Sequence, residues 1–186
     1  MGARILRRLA ARGLMRVMSE LPHFRTERLS LQRLGIDHLE ACLAMDRDPE
    51  VVRYVGVRWT DQASHRSFLE SRIGHSFPPG MGFWSVWRAA EFVGWIALMP
   101  LDLSGPEIEI GWRFVRHAWR RGYATEAARP IIDHALQTLG LPEVVADVLP
   151  ANAASIRVAE KLGMRPVGPA LHNGYHVRRF AIGPAR

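Results

Sequence analysis

The amino-acid sequence predicts a single domain of the mixed α/β class, and three observations support this. A length of 186 residues is typical of one domain. Segments that alternate in hydrophobicity, as strands do, are interspersed with segments of helical periodicity along the chain. No linker, internal repeat or low-complexity segment interrupts it, and a hydrophobic content of 48% is ordinary for a globular protein.

The first half of the chain predicts one strand followed by three helices. Leucines alternate with polar residues over 26–34, which predicts the strand. A turn at 35–37 leads into a helix with apolar Leu39, Cys42, Leu43 and Met45. Asp48 is expected to cap a short helix that has Pro49 in its first turn. The third helix is predicted over 61–73 and is followed by Pro78-Pro79-Gly80, which breaks the chain.

The middle of the chain predicts three strands and a long helix. Strand-like runs over 83–88 and 92–101 are separated by three residues, as in a hairpin, and a third run covers 107–115. The helix after Gly122 keeps its apolar period as far as Gly140, which is expected to end it. Pro130 lies inside this helix and removes one backbone hydrogen bond. A continuous but kinked helix is therefore predicted.

The last third predicts a central strand, a helix and a hairpin. Residues 144–149 are almost continuously apolar, as in a strand that is covered on both faces. Asn152 is expected to cap the final helix and Gly163 to end it. Strands over 165–171 and 174–182 flank Asn173-Gly174, a dipeptide typical of tight hairpin turns.

The charge distribution divides the chain into a basic tail over 1–17 and a domain over 18–186. Five arginines and no acidic residue lie in the tail, so it carries +5 of the net charge of +7. A non-native start, a targeting peptide and a basic arm that touches RNA or membrane all remain open as explanations. The small charge of the domain argues against nucleic-acid binding. A membrane span is also not expected, and we predict a cytoplasmic protein.

Cysteine and histidine usage argues against disulfides and metal sites. The single cysteine, Cys42, falls in an apolar helical pattern and is expected to be buried. It also indicates a reducing compartment. The eight histidines show no pair at metal-ligand spacing, so no metal is expected.

A glycine-containing turn over 119–125 is the most informative local feature of the chain. It follows a strand-like run and precedes a helix, so its unpaired N–H groups lie at the positive end of a helix dipole. Such a site binds phosphate. Arg120 and Arg121 add positive charge, and Gly122 allows close approach of a ligand to the backbone.

These features, with others in the same order, resemble the GNAT superfamily of acetyl-CoA-dependent N-acetyltransferases. The branch that the chain resembles most is that of the ribosomal-protein N-terminal (alanine) acetyltransferase-like proteins. The resemblance covers residues 24 to about 180. The matching segments are Phe24-Arg25-Thr26-Glu27-Arg28-Leu29, Phe92-Val93-Gly94-Trp95-Ile96, Glu109-Ile110-Gly111-Trp112, Gly122-Tyr123-Ala124-Thr125-Glu126-Ala127, Asn152-Ala153-Ala154-Ser155 and Glu160-Lys161-Leu162-Gly163-Met164.

The resemblance implies a fold and a cofactor site. The fold would be a mostly antiparallel, twisted sheet of about seven strands that is splayed in the middle and flanked by about four helices. Acetyl-CoA would be the cosubstrate, with its pantetheine paired to backbone groups between the splayed strands. The cofactor-binding residues implied are Trp112, Phe114, Val115, Arg120, Arg121, Gly122, Tyr123, Ala124, Thr125 and Asn152.

The chain departs from the usual family pattern in two places. Trp119 stands where the turn of many members has Gln or Arg, and Ala159 stands where many carry a tyrosine general acid. Ser155 is our candidate for the general acid. The alternative is that it is an ordinary residue in the first turn of a helix. Glu109 is the candidate general base, which would accept the proton directly or through water. The alternative is that it is a solvated or salt-bridged residue of the strand.

Two functions follow as hypotheses. The first is an N-acetyltransferase that moves an acetyl group to a primary amine, either a protein N-terminus or a small molecule, by direct attack in a ternary complex. The alternative is a catalytically silent acyl-CoA-binding or regulatory module. Arg53, Arg58 and Trp59 are candidates to line the acceptor site, and a homodimer is compatible with the resembling branch.

Overall fold

The computed structural model describes residues 21–55 and 61–184. These residues form one eight-stranded sheet with the strand order β1-β2-β3-β4-β5-β6-β8-β7. The strands are β1 (Phe24–Arg25), β2 (Ser30–Arg33), β3 (Gly82–Arg88), β4 (Glu91–Pro100), β5 (Ile108–Phe114), β6 (Val144–Val148), β7 (Arg165–His172) and β8 (Tyr175–Ile182).

Five α-helices accompany the sheet: α1 (Leu39–Asp46), α2 (Pro49–Val52), α3 (Gln62–Gly74), α4 (Tyr123–Asp133) and α5 (Ala153–Lys161). Short 3₁₀ turns cover Ile36–His38, Leu101–Leu103 and Arg116–Ala118. The predicted mixed α/β class is confirmed, with one strand and one helix more than the resemblance implies.

The extra strand arises because the segment predicted as one strand over 26–34 contains a turn. The backbone N–H of Thr26 donates to the carbonyl of Leu29 across 2.9 Å, and β1 then pairs antiparallel with β2. The Thr26 hydroxyl accepts from the N–H of Leu29 in the same turn. A single continuous strand was therefore the wrong prediction, because this turn contains no glycine or proline to signal it.

The capping predictions are confirmed where polar side chains start helices. Asp48 accepts from the N–H of Glu50 and Asn152 from that of Ser155, as predicted. Asp61 likewise accepts from the N–H of Ser64 at the start of α3. Helical residues continue through Pro130, as predicted. The irregular part of this helix lies one turn later, where His134–Thr138 widen into a π-helical turn that brings the N–H of Leu139 to the carbonyl of His134.

The two faces of the sheet are covered by different helices. The larger core lies between one face and α4 and α5, and includes Ile110, Phe114, Ile131, Ala146 and Ile156. A smaller core on the opposite face joins α1 and α3 to β3 and β4, and includes Leu39, Leu43, Leu69, Phe83 and Ala97. Buried Val144, Val145, Ala146 and Val148 confirm that β6 is an interior strand covered on both faces.

Candidate functional site

The sheet opens into a wedge between β5 and β6, the two parallel strands. Their register contains one pair, Glu109 with Val145, whereas β5 is paired with β4 from Ile108 to Phe114. Beyond Glu109 the strands therefore diverge toward their carboxyl ends. The splayed centre of the sheet agrees with the fold that the resemblance implies.

Backbone groups of β5 line the wedge. The N–H of Val115 donates to Val93 on β4, and its carbonyl accepts from Ala118. Because successive N–H groups of a strand point to opposite sides, those of Trp112 and Phe114 point away from β4, toward the wedge. The carbonyl of Phe114 accepts from the indole N–H of Trp119. Trp112 and Phe114 thus keep N–H groups for a ligand, whereas both backbone groups of Val115 are used within the protein, which is a correction to its predicted role.

The turn before α4 has the geometry of an anion site. Arg120 and Gly122 have φ values of 59° and 80°, and Gly122 is the N-cap of α4. The first intrahelical bond is made by the N–H of Glu126 to the carbonyl of Gly122. Within the described residues, no acceptor is found for the N–H groups of Arg120, Arg121, Gly122, Tyr123, Ala124 and Thr125. Several donors at one helix start are therefore available to a phosphate.

Trp119 joins this turn to the end of β5. Its indole N–H donates to the carbonyl of Phe114 across 2.8 Å, although 40% of the residue is exposed. Arg121 is held in a similar way, since its Nε donates to the carbonyl of His117 across 3.0 Å. The residue that departs from the family pattern thus fixes the turn before α4 relative to the wedge.

A carboxylate inside the first turn of α4 anchors the loop between β1 and β2. Glu126 accepts from the Thr26 hydroxyl at 2.6 Å, from the N–H of Arg28 at 3.0 Å and from its Nε at 2.7 Å. Burial acts to raise the pKa of Glu126, but these hydrogen bonds outweigh it and lower the pKa. The Arg28 guanidinium also lies 4.7 Å from the ring centroid of Tyr123. A third arginine therefore stands beside the turn.

Ser155 and Trp112 meet across the wedge. The indole N–H of Trp112 on β5 donates to Oγ of Ser155 in the first turn of α5, across 3.2 Å. The Ser155 hydroxyl accepts this bond, so its own proton remains free to be donated elsewhere. Ala159 lies one turn later and is completely buried in the larger core. A side chain at that position faces packed protein, so a tyrosine ring would not fit there without displacing its neighbours.

Glu109 lies on the opposite face of β5 from Trp112. Ile108, Ile110 and Trp112 pack against the larger core, so the side chain of Glu109 is on the face of α1 and α3. The structure shows no hydrogen bond or ion pair to its carboxylate from the described residues. Burial raises the pKa of Glu109 to about 7, with the charge of His172 opposing this shift and that of Asp147 adding to it. A half-buried carboxylate with a pKa near neutrality is suited to accept a proton.

Asp147 on β6 shares the face of Glu109 but is fully paired. Arg179 of β8 donates to both of its carboxylate oxygens, at 2.8 and 2.7 Å, and also donates to Glu107 at 2.8 Å. Nδ1 of His172 lies 3.2 Å from Asp147, and its Nε2 lies 3.1 Å from Asp102. Glu107 is thus salt-bridged, whereas Glu109, two residues later, has no ion pair with a described residue.

A second buried carboxylate holds α1 against β5. The side chain of Asp46 is completely buried, and its Oδ2 lies 2.7 Å from Nη1 of Arg113 and 3.2 Å from Nε2 of His65. The Arg113 guanidinium also lies 5.0 Å from the ring centroid of Trp95. Nearby Cys42 is buried, as predicted, and burial raises the pKa of its thiol to about 12. The contacts of Asp46 therefore join α1 to β5 and α3. Cys42 is buried and protonated, so it is not a reactive thiol.

The comparisons agree with this geometry. Residues 28–165 match the family model described as an acetyltransferase (GNAT) domain. The chain belongs to the GNAT acetyltransferase family. A relative from Aspergillus fumigatus, FsC-acetyl coenzyme A-N(2)-transacetylase, is 33% identical over 78% of the chain and 66% of its own length. The chain thus spans slightly less than two thirds of the length of that relative.

Two solved structures show the same fold at lower identity. A candidate ribosomal-protein-serine acetyltransferase from Vibrio cholerae has a TM-score of 0.70 and 20% identity, over 90% of this chain and all of its own. The spermidine N-acetyltransferase of Vibrio cholerae, in complex with CoA and spermine, has a TM-score of 0.69 and 15% identity, over 85% of this chain and 96% of its own.

The acceptor side of this GNAT domain was the least predictable part. Arg58 and Trp59 lie outside the described residues, and Arg53 is exposed and pairs with Glu50 at 3.4 Å. Sequence reasoning did not assign Asp147 and Arg179, which the pairing of β6 with β8 brings together, or His172, which contacts Asp147 from the end of β7.

Among the described residues, no group of three or more His, Cys, Asp and Glu side chains is arranged to hold a metal ion. None of the helices in 21–55 and 61–184 has the length and apolarity that a membrane crossing requires.

Proposed function

We propose that this GNAT protein transfers the acetyl group of acetyl-CoA to a primary amine by direct attack in a ternary complex. The observation that carries the proposal is the wedge beyond the Glu109–Val145 pair. Glu109 approaches it from one face of the sheet, and Ser155 lies on the face of α4 and α5. A base and an acid on opposite sides of one opening can serve an amine and a thiol that meet there.

The cofactor would be held by backbone groups. The backbone N–H groups of residues 120–125 would donate hydrogen bonds to the diphosphate, and the charges of Arg120 and Arg121 would attract it. The N–H groups of Trp112 and Phe114 would pair with the pantetheine or with the oxyanion that forms during attack. Asn152 caps α5 beside Ser155, so its amide can contact the same ligand.

Glu109 would accept the proton that the attacking ammonium must lose. A primary amine with a pKa near 10 is mostly protonated at neutral pH, so its nitrogen needs a proton acceptor, directly or through water. Ser155 would donate its hydroxyl proton to the departing thiolate when the tetrahedral intermediate collapses. The bond from Trp112 fixes Oγ while leaving this proton free.

Release of the coenzyme thiol from acetyl-CoA, measured against amines and peptide N-termini, tests this function. Glu109→Gln should reduce kcat about 100-fold or more while leaving the acetyl-CoA Kd unchanged. Glu107→Gln is the matched control, since it removes a carboxylate two residues away that is already paired with Arg179. Turnover as fast in Glu109→Gln as in the wild type would exclude Glu109 as the base.

The alternative, a silent acyl-CoA-binding module, makes a different prediction. It requires acetyl-CoA binding without turnover of any amine. The carboxylate of Glu109 favours the enzyme, because it is half-buried without a hydrogen bond or ion pair from the described residues, and such a group is more typical of a catalytic site than of a binding module.

A further inference from the structure

Arg28 lies against the turn before α4, although it belongs to the loop between β1 and β2. A Cβ built on Gly122, the N-cap of α4, would lie 3.5 Å from Nη2 of Arg28. The guanidinium also lies 4.7 Å from the ring centroid of Tyr123, the first residue of the helix. Arg28 therefore flanks the backbone N–H groups to which the proposed function assigns the diphosphate.

Glu126 fixes the direction of this guanidinium. Its Oε2 accepts from Nε of Arg28 across 2.7 Å, and its Oε1 accepts from the backbone N–H of the same residue across 3.0 Å. Nη2 of Arg28 lies within salt-bridge distance of the carboxylate, whereas no acceptor for Nη1 is found in the described parts of the chain. The Arg28 side chain is 44% exposed. A guanidinium that is held along one edge and open along the other keeps donors for a ligand.

The charge of Glu126 makes an arginine necessary at this position. Burial acts to raise the pKa of Glu126, but hydrogen bonds from Thr26 and Arg28 lower it, so the carboxylate is ionised at neutral pH. This carboxylate lies in the first turn of α4, where it would repel a phosphate bound at the helix start. Arg28 cancels that charge and also presents its open edge beside Gly122.

We propose that Arg28 binds a phosphate group of the coenzyme, as a third arginine beside Arg120 and Arg121. This rests on the proposed function, in which the turn before α4 holds the diphosphate of acetyl-CoA. Coenzyme A carries two kinds of phosphate, the diphosphate and the 3′-phosphate of its ribose, and a guanidinium binds either through the same donors. Arg28 would select for the nucleotide part of the coenzyme and take no part in proton transfer.

Three acetyl thioesters test the assignment in calorimetric binding experiments. Acetyl-CoA carries both kinds of phosphate, acetyl-dephospho-CoA lacks the 3′-phosphate, and S-acetylpantetheine lacks both. Arg28→Gln should raise the Kd of acetyl-CoA about tenfold or more and leave that of S-acetylpantetheine unchanged. A loss confined to acetyl-CoA identifies the 3′-phosphate as the ligand, and a similar loss for acetyl-dephospho-CoA identifies the diphosphate. An equal loss for all three thioesters, or no loss for acetyl-CoA, would overturn the proposal.

Arg66 of α3 provides a matched control. Its side chain is also 44% exposed and also pairs with a glutamate, Glu40. Arg66→Gln therefore removes the same charge from a similar ion pair and should change none of the three Kd values. Arg28→Lys should bind acetyl-CoA more tightly than Arg28→Gln, because it keeps the charge without the fork.

A second pair of variants separates the phosphate contact from the anchoring of the loop. Glu126→Gln removes the ionised anchor and keeps the guanidinium, whereas the double variant Arg28→Gln/Glu126→Gln removes both charges. The double variant should bind acetyl-CoA more weakly than Glu126→Gln, about tenfold or more. Equal Kd values for these two variants would show that Arg28 acts only on Glu126, and would overturn the proposal.

Failure of the proposed function has a separate signature. A wild type that binds acetyl-CoA but releases no thiol with any amine contradicts the enzyme and leaves the assignment of Arg28 to be decided by the Kd values. A wild type that binds none of the three thioesters overturns both.

Discussion

Trp112 and Ser155 form a hydrogen bond between β5 and α5, with the indole Nε1 3.2 Å from the serine Oγ. The bond crosses the opening of the sheet, and its direction fixes the serine as acceptor. Trp112 therefore positions the hydroxyl that we assign as general acid.

Removing the indole N–H should weaken acid catalysis without weakening cofactor binding. Ser155→Ala should lower kcat about 10–100-fold, and Trp112→Phe, which keeps an aromatic ring, should have a smaller effect in the same direction. Both should bind acetyl-CoA like the wild type by calorimetry. The double variant should be no slower than Ser155→Ala, because Trp112 acts through Ser155. Independent, multiplying effects on kcat would argue against this coupling.

Glu109 should make the stability of the protein depend on pH. Its pKa of about 7 in the fold exceeds the ordinary value of 4.5, so the folded state holds a proton that the unfolded state has lost. The contribution to stability is complete below pH 4.5 and falls as the pH rises through 7. Glu109→Gln removes this dependence and should gain up to about 3 kcal/mol over the wild type above pH 7. Urea unfolding between pH 5 and 8 measures the difference.

Glu107→Gln again serves as the comparison, because Glu107 is exposed and salt-bridged. It should show no such gain at high pH. If the stability difference between Glu109→Gln and the wild type stays constant from pH 5 to 8, the pKa of Glu109 is not raised and its assignment as a base near neutrality fails.

Substitution of Gly122 should weaken acetyl-CoA binding in addition to straining the backbone. A residue with a Cβ at φ 80° is strained by roughly 1–2 kcal/mol, and the same applies to Gly140 at φ 64°. Gly122→Ala and Gly140→Ala should therefore lose similar stability in urea. Only Gly122→Ala should weaken acetyl-CoA binding, by about tenfold or more, because its methyl group would lie against the diphosphate. Equal Kd values for both variants would contradict an anion site at this turn.

Local signals predicted most of the fold, and long-range contacts account for the rest. Gly122, Asn152 and Asn173-Gly174 mark their turns within a few residues, so the order of elements could be predicted from the sequence. The turn at Thr26 depends on Glu126, 100 residues away, and no local pattern shows it. The ion pairs of Asp46 with Arg113 and of Asp147 with Arg179 likewise join residues far apart in the sequence, so no local pattern predicts that Glu109 lacks such a partner.

The contact between Thr26 and Glu126 should stabilise the domain and become weaker in acid. Glu126→Gln removes the charge that accepts from Thr26 and Arg28, and should lower the thermal midpoint by about 2–4 °C at pH 7. Because the pKa of Glu126 is lowered in the fold, its contribution is present above the ordinary carboxyl pKa and is lost as the pH falls below it. The thermal midpoints of Glu126→Gln and the wild type should therefore converge at acidic pH, which calorimetry measures. Glu160→Gln, at an exposed position on α5, should leave the midpoint unchanged, and an equal shift in both variants would contradict the assignment.

Restoring the family's tyrosine should damage this protein instead of improving it. Ala159 is completely buried among the residues of the larger core, and its carbonyl accepts from the N–H of Met164. Ala159→Tyr would force a large ring into packed space and should cost at least about 1–3 kcal/mol in urea unfolding. Ala159→Ser, of similar size to the wild type, is the control and should remain close to it in stability and activity. A tyrosine variant that is both stable and faster would show that the hydroxyl can reach the thiol from this helix, and that Ser155 is not the acid.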